Sequence, residues 1–346
     1  MRNGVPMAWM ASDNDPPVYI DHGLGPGFTD IDGFSYVDFN ASDMAMFCGH
    51  ANPAIVAAVQ AQVARSTQFL LPTEASVVVA EELARRVQRG LSKSVNGRVR
   101  IAQFNDAGTV REVLGPGDVA LVLTEPAMTN YLHMLLPEPG WHQALRELTR
   151  QHGTLLAIDE THTHVTGPGG ATGMWHLDPD IVTIGKAVAG GLPMGAYGVT
   201  PELAEYLDTA RNVATGGTLF GNPLSAAAAQ AALTEVLVQG AYQRTSELGG
   251  ELADGIEQAI GAAGLPWTVI RFGPRSGQWY GPRPRTGAEA HALTDGQLTR
   301  LMRVWLANRG IWEALPGAGP TVPVPATRGD VARYVNAYAE LLAELR

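Results

Sequence analysis

The 346-residue chain is long enough to bury a sizeable core and to hold one large and one smaller domain. Its 45% hydrophobic and 17% charged residues fit an ordinary soluble enzyme, and a net charge of -10 with no basic stripe excludes a nucleic-acid footprint. A single cysteine, Cys48, excludes an internal disulfide framework and any multi-cysteine metal site. No apolar run reaches the roughly 18 residues of a membrane span, and Met1–Trp9 has no apolar core for a signal peptide, so the expected compartment is the cytoplasm.

In chain order, residues 17–39 hold short alternating pieces, and Asp32-Gly33 between two of them predicts a hairpin. Gly49-His50-Ala51-Asn52-Pro53 opens a helix expected from Pro53 to Phe69, with proline at its first position. A second helix is expected from Pro72-Thr73-Glu74 to Arg86. The stretch 88–97 is polar and aperiodic and reads as a loop. Order is expected to resume as a strand at Arg98-Val99-Arg100-Ile101-Ala102, and Asn105-Asp106 precedes a short helix.

Val119 to Thr124 reads as a buried strand ending in the carboxylate of Glu125, and Trp141 to Gln151 as the helix leading to the next strand, 154–159. This cadence implies right-handed crossovers between parallel strands. Another strand is expected at Met194 to Val199, and helices at Pro201–Arg211 and Pro223–Leu237. The remainder reads as an α+β unit. It comprises a helix at Tyr242–Ala263, strands at Trp267–Arg271 and Gln278–Tyr280, a helix at Leu293–Arg309, and a terminal helix from Gly329.

Two apolar runs near the middle end abruptly in polar residues: 154–159 in Asp159, and 180–184 in Gly185-Lys186. Ligands in parallel sheets bind beyond the carboxyl ends of the strands, so these two tips are expected side by side. A buried lysine beside a carboxylate, with glycines after it, suits a Schiff-base site for an aromatic, positively charged cofactor. A lone lysine at a strand end is more often a surface residue than a Schiff-base residue, and Asp159 alone fits a loop or cap residue. His162 and His164 are either metal ligands or hydrogen-bonded loop residues. No third ligand is evident, so no metal site is expected. Glu125 serves either a structural hydrogen bond or the substrate. Arg271, Arg275, Arg283 and Arg285 form either a substrate-carboxylate clamp or a solvated loop.

The ordered set of motifs resembles the class III, fold-type I PLP-dependent aminotransferases, and the glutamate-1-semialdehyde 2,1-aminomutase branch above all. The pieces that carry this are Asp32-Gly33, Tyr36-Val37-Asp38-Phe39, Gly49-His50-Ala51-Asn52-Pro53, Glu125-Pro126, Asp159-Glu160, Asp180 to Lys186, Gly190-Gly191-Leu192-Pro193-Met194-Gly195, and Gly217-Thr218-Leu219-Phe220-Gly221-Asn222-Pro223. The resemblance implies an α/β PLP-transferase fold with a mostly parallel sheet, pyridoxal 5'-phosphate as cofactor, and a homodimer without nucleic-acid or membrane partners. It implies that Lys186 forms the imine with the cofactor and that Asp159 pairs with its pyridine nitrogen. Thr161 would lie near the ring face, and Thr218 would reach the phosphate of the partner subunit's cofactor.

The family's Ser-Gly-Thr-Glu-type phosphate turn and its Tyr-His-Gly stacking turn find no counterpart. Only the loop 88–97 stands in their place, so an internal segment of the large domain is expected to be missing. The expected division is 1–87 for the amino-terminal part of the small domain and the lead-in, 88–97 for the loop, 98–240 for the shortened large domain, and 241–346 for the carboxyl-terminal α+β domain. The expected activity is that of an aminotransferase or aminomutase acting on an amino acid or amino-aldehyde through Lys186, with Glu125 and Arg275 as substrate contacts. The competing expectation is a non-catalytic truncated homologue, a structural or interaction subunit that no longer retains PLP.

Overall fold

A computed structural model of the chain describes residues 17–42, 44–65, 73–87, 99–129, 134–210, 223–313 and 319–345. Near the amino terminus, β1 (Ile20–Leu24), β2 (Gly27–Asp30) and β3 (Ser35–Asp38) form an antiparallel meander. The turn at Asp32-Gly33 joins β2 to β3 as expected. Gly33 takes φ 84, which a side chain would disfavour, and the Asp30 carboxylate accepts the amides of Asp32 at 3.0 Å and Phe34 at 2.9 Å. Residues 311–312 add a parallel edge to β3, so the two ends of the described chain share one sheet.

Helix α1 (Pro53–Val63) starts where predicted, with the Asn52 side chain accepting the Ala54 amide at 3.1 Å, and α2 (Glu74–Val87) follows. The strand expected from Arg98 is not found. Residues 99–103 carry no regular structure, and Val99 and Ile101 are 84% and 88% exposed. An alternating apolar segment becomes a strand only where a neighbour takes its hydrogen bonds, and no described strand lies beside this one.

Helix α3 (Ala107–Leu114) is capped by Asp106, whose carboxylate accepts the amides of Gly108 at 2.8 Å and Thr109 at 3.1 Å. Then come β4 (Leu121–Thr124), α4 (Trp141–Gln151), β5 (Leu155–Asp159), α5 (Gly170–Met174), β6 (Ile181–Ile184) and β7 (Ala196–Val199). These strands form one sheet in sequence order. β4, β5 and β6 run parallel and β7 turns back antiparallel.

After α6 (Pro201–Thr209), α7 (Pro223–Ala231) stops short of the expected Leu237, because the chain widens into a π turn over Ala232–Val236. Arg86 of α2 explains how the wide turn is tolerated: its guanidinium donates to the carbonyls of Leu233 and Leu237 that the helix leaves open. Helix α8 (Gln239–Ala263) leads to a hairpin of β8 (Thr268–Phe272) and β9 (Arg275–Trp279), longer in its second strand than expected. The short α9 (Gly287–Ala292) was not anticipated. Helix α10 (Gly296–Ala307), β10 (Ile311–Trp312) and α11 (Arg328–Glu344) complete the chain, the last with a capping box between Thr327 and Asp330.

One buried cluster joins Phe47, Val182, Ile184 and Ala228, so the amino-terminal loop and α7 seal the exit of β6. A second cluster packs α8 against α10 and α11. The start of β6 is pinned by Asp180, which accepts two bonds from Arg146 at 2.7 and 2.8 Å and one from the Leu156 amide at 2.7 Å. Asp180→Ala is expected to leave the half-buried Arg146 without this partner and to lower stability by about 1.5–3 kcal/mol, read from the urea midpoint.

Candidate active site

The register of the sheet decides which side chains meet. Thr124 of β4 pairs with Ile158, and Asp159 of β5 pairs with Thr183 of β6, so Glu125, Asp159 and Lys186 leave their strands at one edge. Asp159 is half-buried, and its Oδ1 accepts the Thr161 amide at 2.9 Å. Oδ2 has no protein partner among the described residues. The Thr161 side chain lies over Gly185, at ordinary contact distance from where a Cβ there would stand.

Lys186 opens a short 3₁₀ turn, Lys186–Ala189, with φ 50. The left-handed region costs a residue with a side chain about 1–2 kcal/mol. Packing holds it there. Ala187, Val188 and Ala189 are fully buried, and the Cys48 thiol donates to the Ala187 carbonyl at 3.8 Å. Gly190, at φ 58, closes the turn directly against Ile55, whose side chain a Cβ at this position would strike.

The turn after β5 is built by side chains pointing in opposite directions. Glu160 points away from the tip and is almost fully buried. It accepts the Thr163 hydroxyl and the amides of Ala171, at 3.1 Å, and Thr172 at the start of α5. Burial pushes its carboxyl pKa up, against the lowering effect of these donors. His164, also buried, places Nε2 3.1 Å from the Gly185 carbonyl, immediately before the lysine. Burial, opposed by this bond, holds the His164 pKa down at about 4.

His162 points toward the strand tips. Its Nε2 lies 2.5 Å from Lys186 Nζ, and its Nδ1 lies 3.4 Å from Glu125 Oε2. The same carboxylate oxygen accepts the Thr129 hydroxyl at 2.5 Å. A carboxylate facing Nδ1 favours a proton there, which leaves Nε2 as the acceptor facing the amine. The His162 and Glu125 side chains are only 10% and 14% exposed, so water competes little for these contacts.

Glu125, Asp159, Thr161 and Lys186 thus stand at one edge of the sheet. Arg275 does not join them: it lies fully buried on β9, in a different sheet. The proposed arginine clamp is otherwise engaged at the surface. Arg271 pairs with Asp254 at 2.6 Å and Glu257 at 2.5 Å, and Arg283 and Arg285 each approach Glu138 at 3.4 Å. Thr218 and the loop 88–97 lie outside the described residues. The sequence reading missed His162 as the partner of Lys186. Its position three residues past Asp159, in a segment that is polar where the family continues apolar, was the available signal.

The depressed His164 pKa fixes a pH dependence. Below about pH 6.5 the unfolded chain's histidine takes a proton that the folded His164 refuses, so stability falls as pH drops and the loss levels off below about pH 4. The full loss is on the order of 3 kcal/mol. His164→Gln is expected to remove this part of the acid sensitivity, seen as a smaller difference between urea midpoints at pH 7 and pH 4.5.

The chain is similar to known proteins over most of its length. The aminotransferase class-III family profile matches residues 9–110 and 104–264, two stretches that meet at 104–110. Glutamate-1-semialdehyde 2,1-aminomutase 2 of Brevibacillus brevis is 29% identical, covering 93% of this chain and 90% of its own. That alignment spans 388 positions, more than this chain contains, so the relative has residues here with no counterpart. The Syntrophobacter fumaroxidans aminomutase is 32% identical over 74% of each chain. The glutamate-1-semialdehyde aminomutase of Pseudomonas aeruginosa, solved in complex with PMP, superposes with a TM-score of 0.92 at 31% identity, covering 100% of this chain and 92% of that one. The fold is therefore the fold-type I PLP-transferase fold, in a chain shorter than its relatives, and the chain belongs to the class-III aminotransferase family.

Proposed function

We propose that the protein is a pyridoxal 5'-phosphate-dependent aminotransferase or aminomutase acting on an amino acid or amino-aldehyde. The observation that carries this reading is the pairing of strand tips: a half-buried lysine, Lys186, leaves the sheet at the same edge as a carboxylate, Asp159, that keeps one oxygen without a partner among the described residues. This donor set fits the cofactor at two ends. The Lys186 amine matches its aldehyde, and Asp159 Oδ2 matches a protonated ring nitrogen. When bound, the cofactor supplies a carbonyl for amine exchange and an electron sink for the carbanion.

The chain's own residues do the rest. Lys186 Nζ would take the proton from the substrate α-carbon and return it. Asp159 would hold the proton on the ring nitrogen, with its bond from the Thr161 amide keeping the carboxylate aimed. Thr161, whose side chain lies over Gly185, would border the ring face, and we assign Thr218 to the phosphate of the partner subunit's cofactor in a homodimer. We assign Glu125 a place on the substrate side through His162, whose Nδ1 lies 3.4 Å from its Oε2. Arg275, buried on β9 in another sheet, has no part in this reading. The division of the chain at 240/241 into a shortened cofactor-binding domain and a carboxyl-terminal α+β domain belongs to the same proposal, as does a cytoplasmic location. Among the described residues no helix is long and apolar enough to cross a membrane.

Adding PLP to the purified protein is expected to produce an imine absorbance band that borohydride fixes as a reduced adduct on the Lys186 peptide. Lys186→Ala is expected to abolish both. Asp159→Ala is expected to weaken PLP binding by about 10–100-fold, the loss of one charge-assisted bond. A folded wild-type protein with no band at high PLP overturns the proposal.

A further inference from the structure

We propose that His162, backed by Glu125, is the proton acceptor and donor for the Lys186 amine. This rests on Lys186 being the amine that carries the cofactor, and it assigns to the same site a role that the comparisons do not.

Four side chains stand in a row: Thr129 Oγ1 on Glu125 Oε2 at 2.5 Å, Glu125 Oε2 near His162 Nδ1 at 3.4 Å, and His162 Nε2 on Lys186 Nζ at 2.5 Å. The row begins at the tip of β4, passes through the turn after β5, and ends at the exit of β6, so the sheet itself sets the spacing. While the amine is free, one proton of the ammonium moves from Nζ to Nε2, leaving a neutral amine and an imidazolium. The Nδ1–H stays on the ring, facing the carboxylate, which neutralises the new charge. The reverse transfer restores the ammonium. No proton leaves the group and no other reactant is needed.

The surroundings favour this assignment over a merely structural bond. A lysine ammonium in water has about four pKa units more affinity for a proton than imidazole, so transfer needs a nearby anion and little water. Glu125 supplies the anion, and the Thr129 hydroxyl donates to it. Among the described residues, the titratable groups on the same turn as His162 are Asp159, Glu160 and His164, and Arg86 of α2 faces His164. His164 sits on the Gly185 carbonyl, and both Arg86 and His162 act electrostatically on it. His164 fixes the backbone ahead of the lysine, while His162 takes its side chain, so the segment Thr161-His162-Thr163-His164 holds the lysine at two points.

The test uses the apoprotein, so that it is read separately from the PLP band. Trace acetylation of Lys186 with acetic anhydride, quantified by peptide mass spectrometry between pH 5.5 and 10, reports the fraction of neutral amine. Wild type is expected to react about tenfold or more faster than His162→Gln near pH 7, and the two are expected to converge near pH 10. Glutamine keeps a hydrogen bond to the amine and carries no proton, so a structural role alone predicts equal profiles. Glu125→Gln is expected to slow labelling in the same pH range. Should His162→Gln fail to fold, 15N NMR of the His162 ring replaces it: Lys186→Met is expected to move the ring's titration midpoint by at least half a pH unit. Superimposable acetylation profiles in folded variants, or an unmoved midpoint, overturn the inference.

Discussion

Parallel pairing between β5 and β6 is the constraint on which the rest of the site depends. Asp159 opposite Thr183 sets how far each strand runs before its first polar residue, and this brings the carboxylate and the amine to the same edge. A shift of one residue would turn Asp159 to the face that Glu160 now occupies, against α5. Asp180 guards the register from below, because a single carboxylate binds the Leu156 amide of one strand and Arg146 of the covering helix. The apolar residues between the tips and this pin, Leu156, Ala157, Ile158 and Val182, are buried, so the strands have no freedom to slide.

On this frame the turn after Lys186 is strained, and the strain is compensated by packing from distant parts of the chain. Residues 44–55 press Phe47, Cys48 and Ile55 against the turn, and α7 closes it from the other side. Such outliers concentrate where a side chain must be presented in one orientation. The polar segment 161–164 then grips the lysine at its carbonyl neighbour and at its amine.

The sheet is also short. β4 is its outermost described strand on one side, with Leu123 63% exposed, and Val99 and Ile101 stand in solvent nearby in sequence. The family profile matches in two stretches that share residues 104–110, and this edge carries apolar side chains with no partner strand among the described residues. The expectation of a strand at Arg98 failed for this reason. The local pattern was that of a strand, and hydrogen bonding from a neighbour was the missing ingredient.

Local chemistry determined much of what could be read from the sequence alone. The turn at Asp32-Gly33, the helix starts at Pro53 and Asp106, the apolar runs ending in Asp159 and Lys186, and the order of the motifs were all legible, because each is written in a few adjacent residues. Tertiary structure decided what depends on residues far apart in the chain. It paired His162 with both Lys186 and Glu125, buried Arg275 on another sheet, engaged Arg271, Arg283 and Arg285 with surface carboxylates, and widened α7 into a π turn under Arg86. The physical reason is distance along the chain. Periodicity and turn chemistry report on neighbours, whereas the partner of a side chain at a strand tip is set by register and packing between segments tens of residues apart.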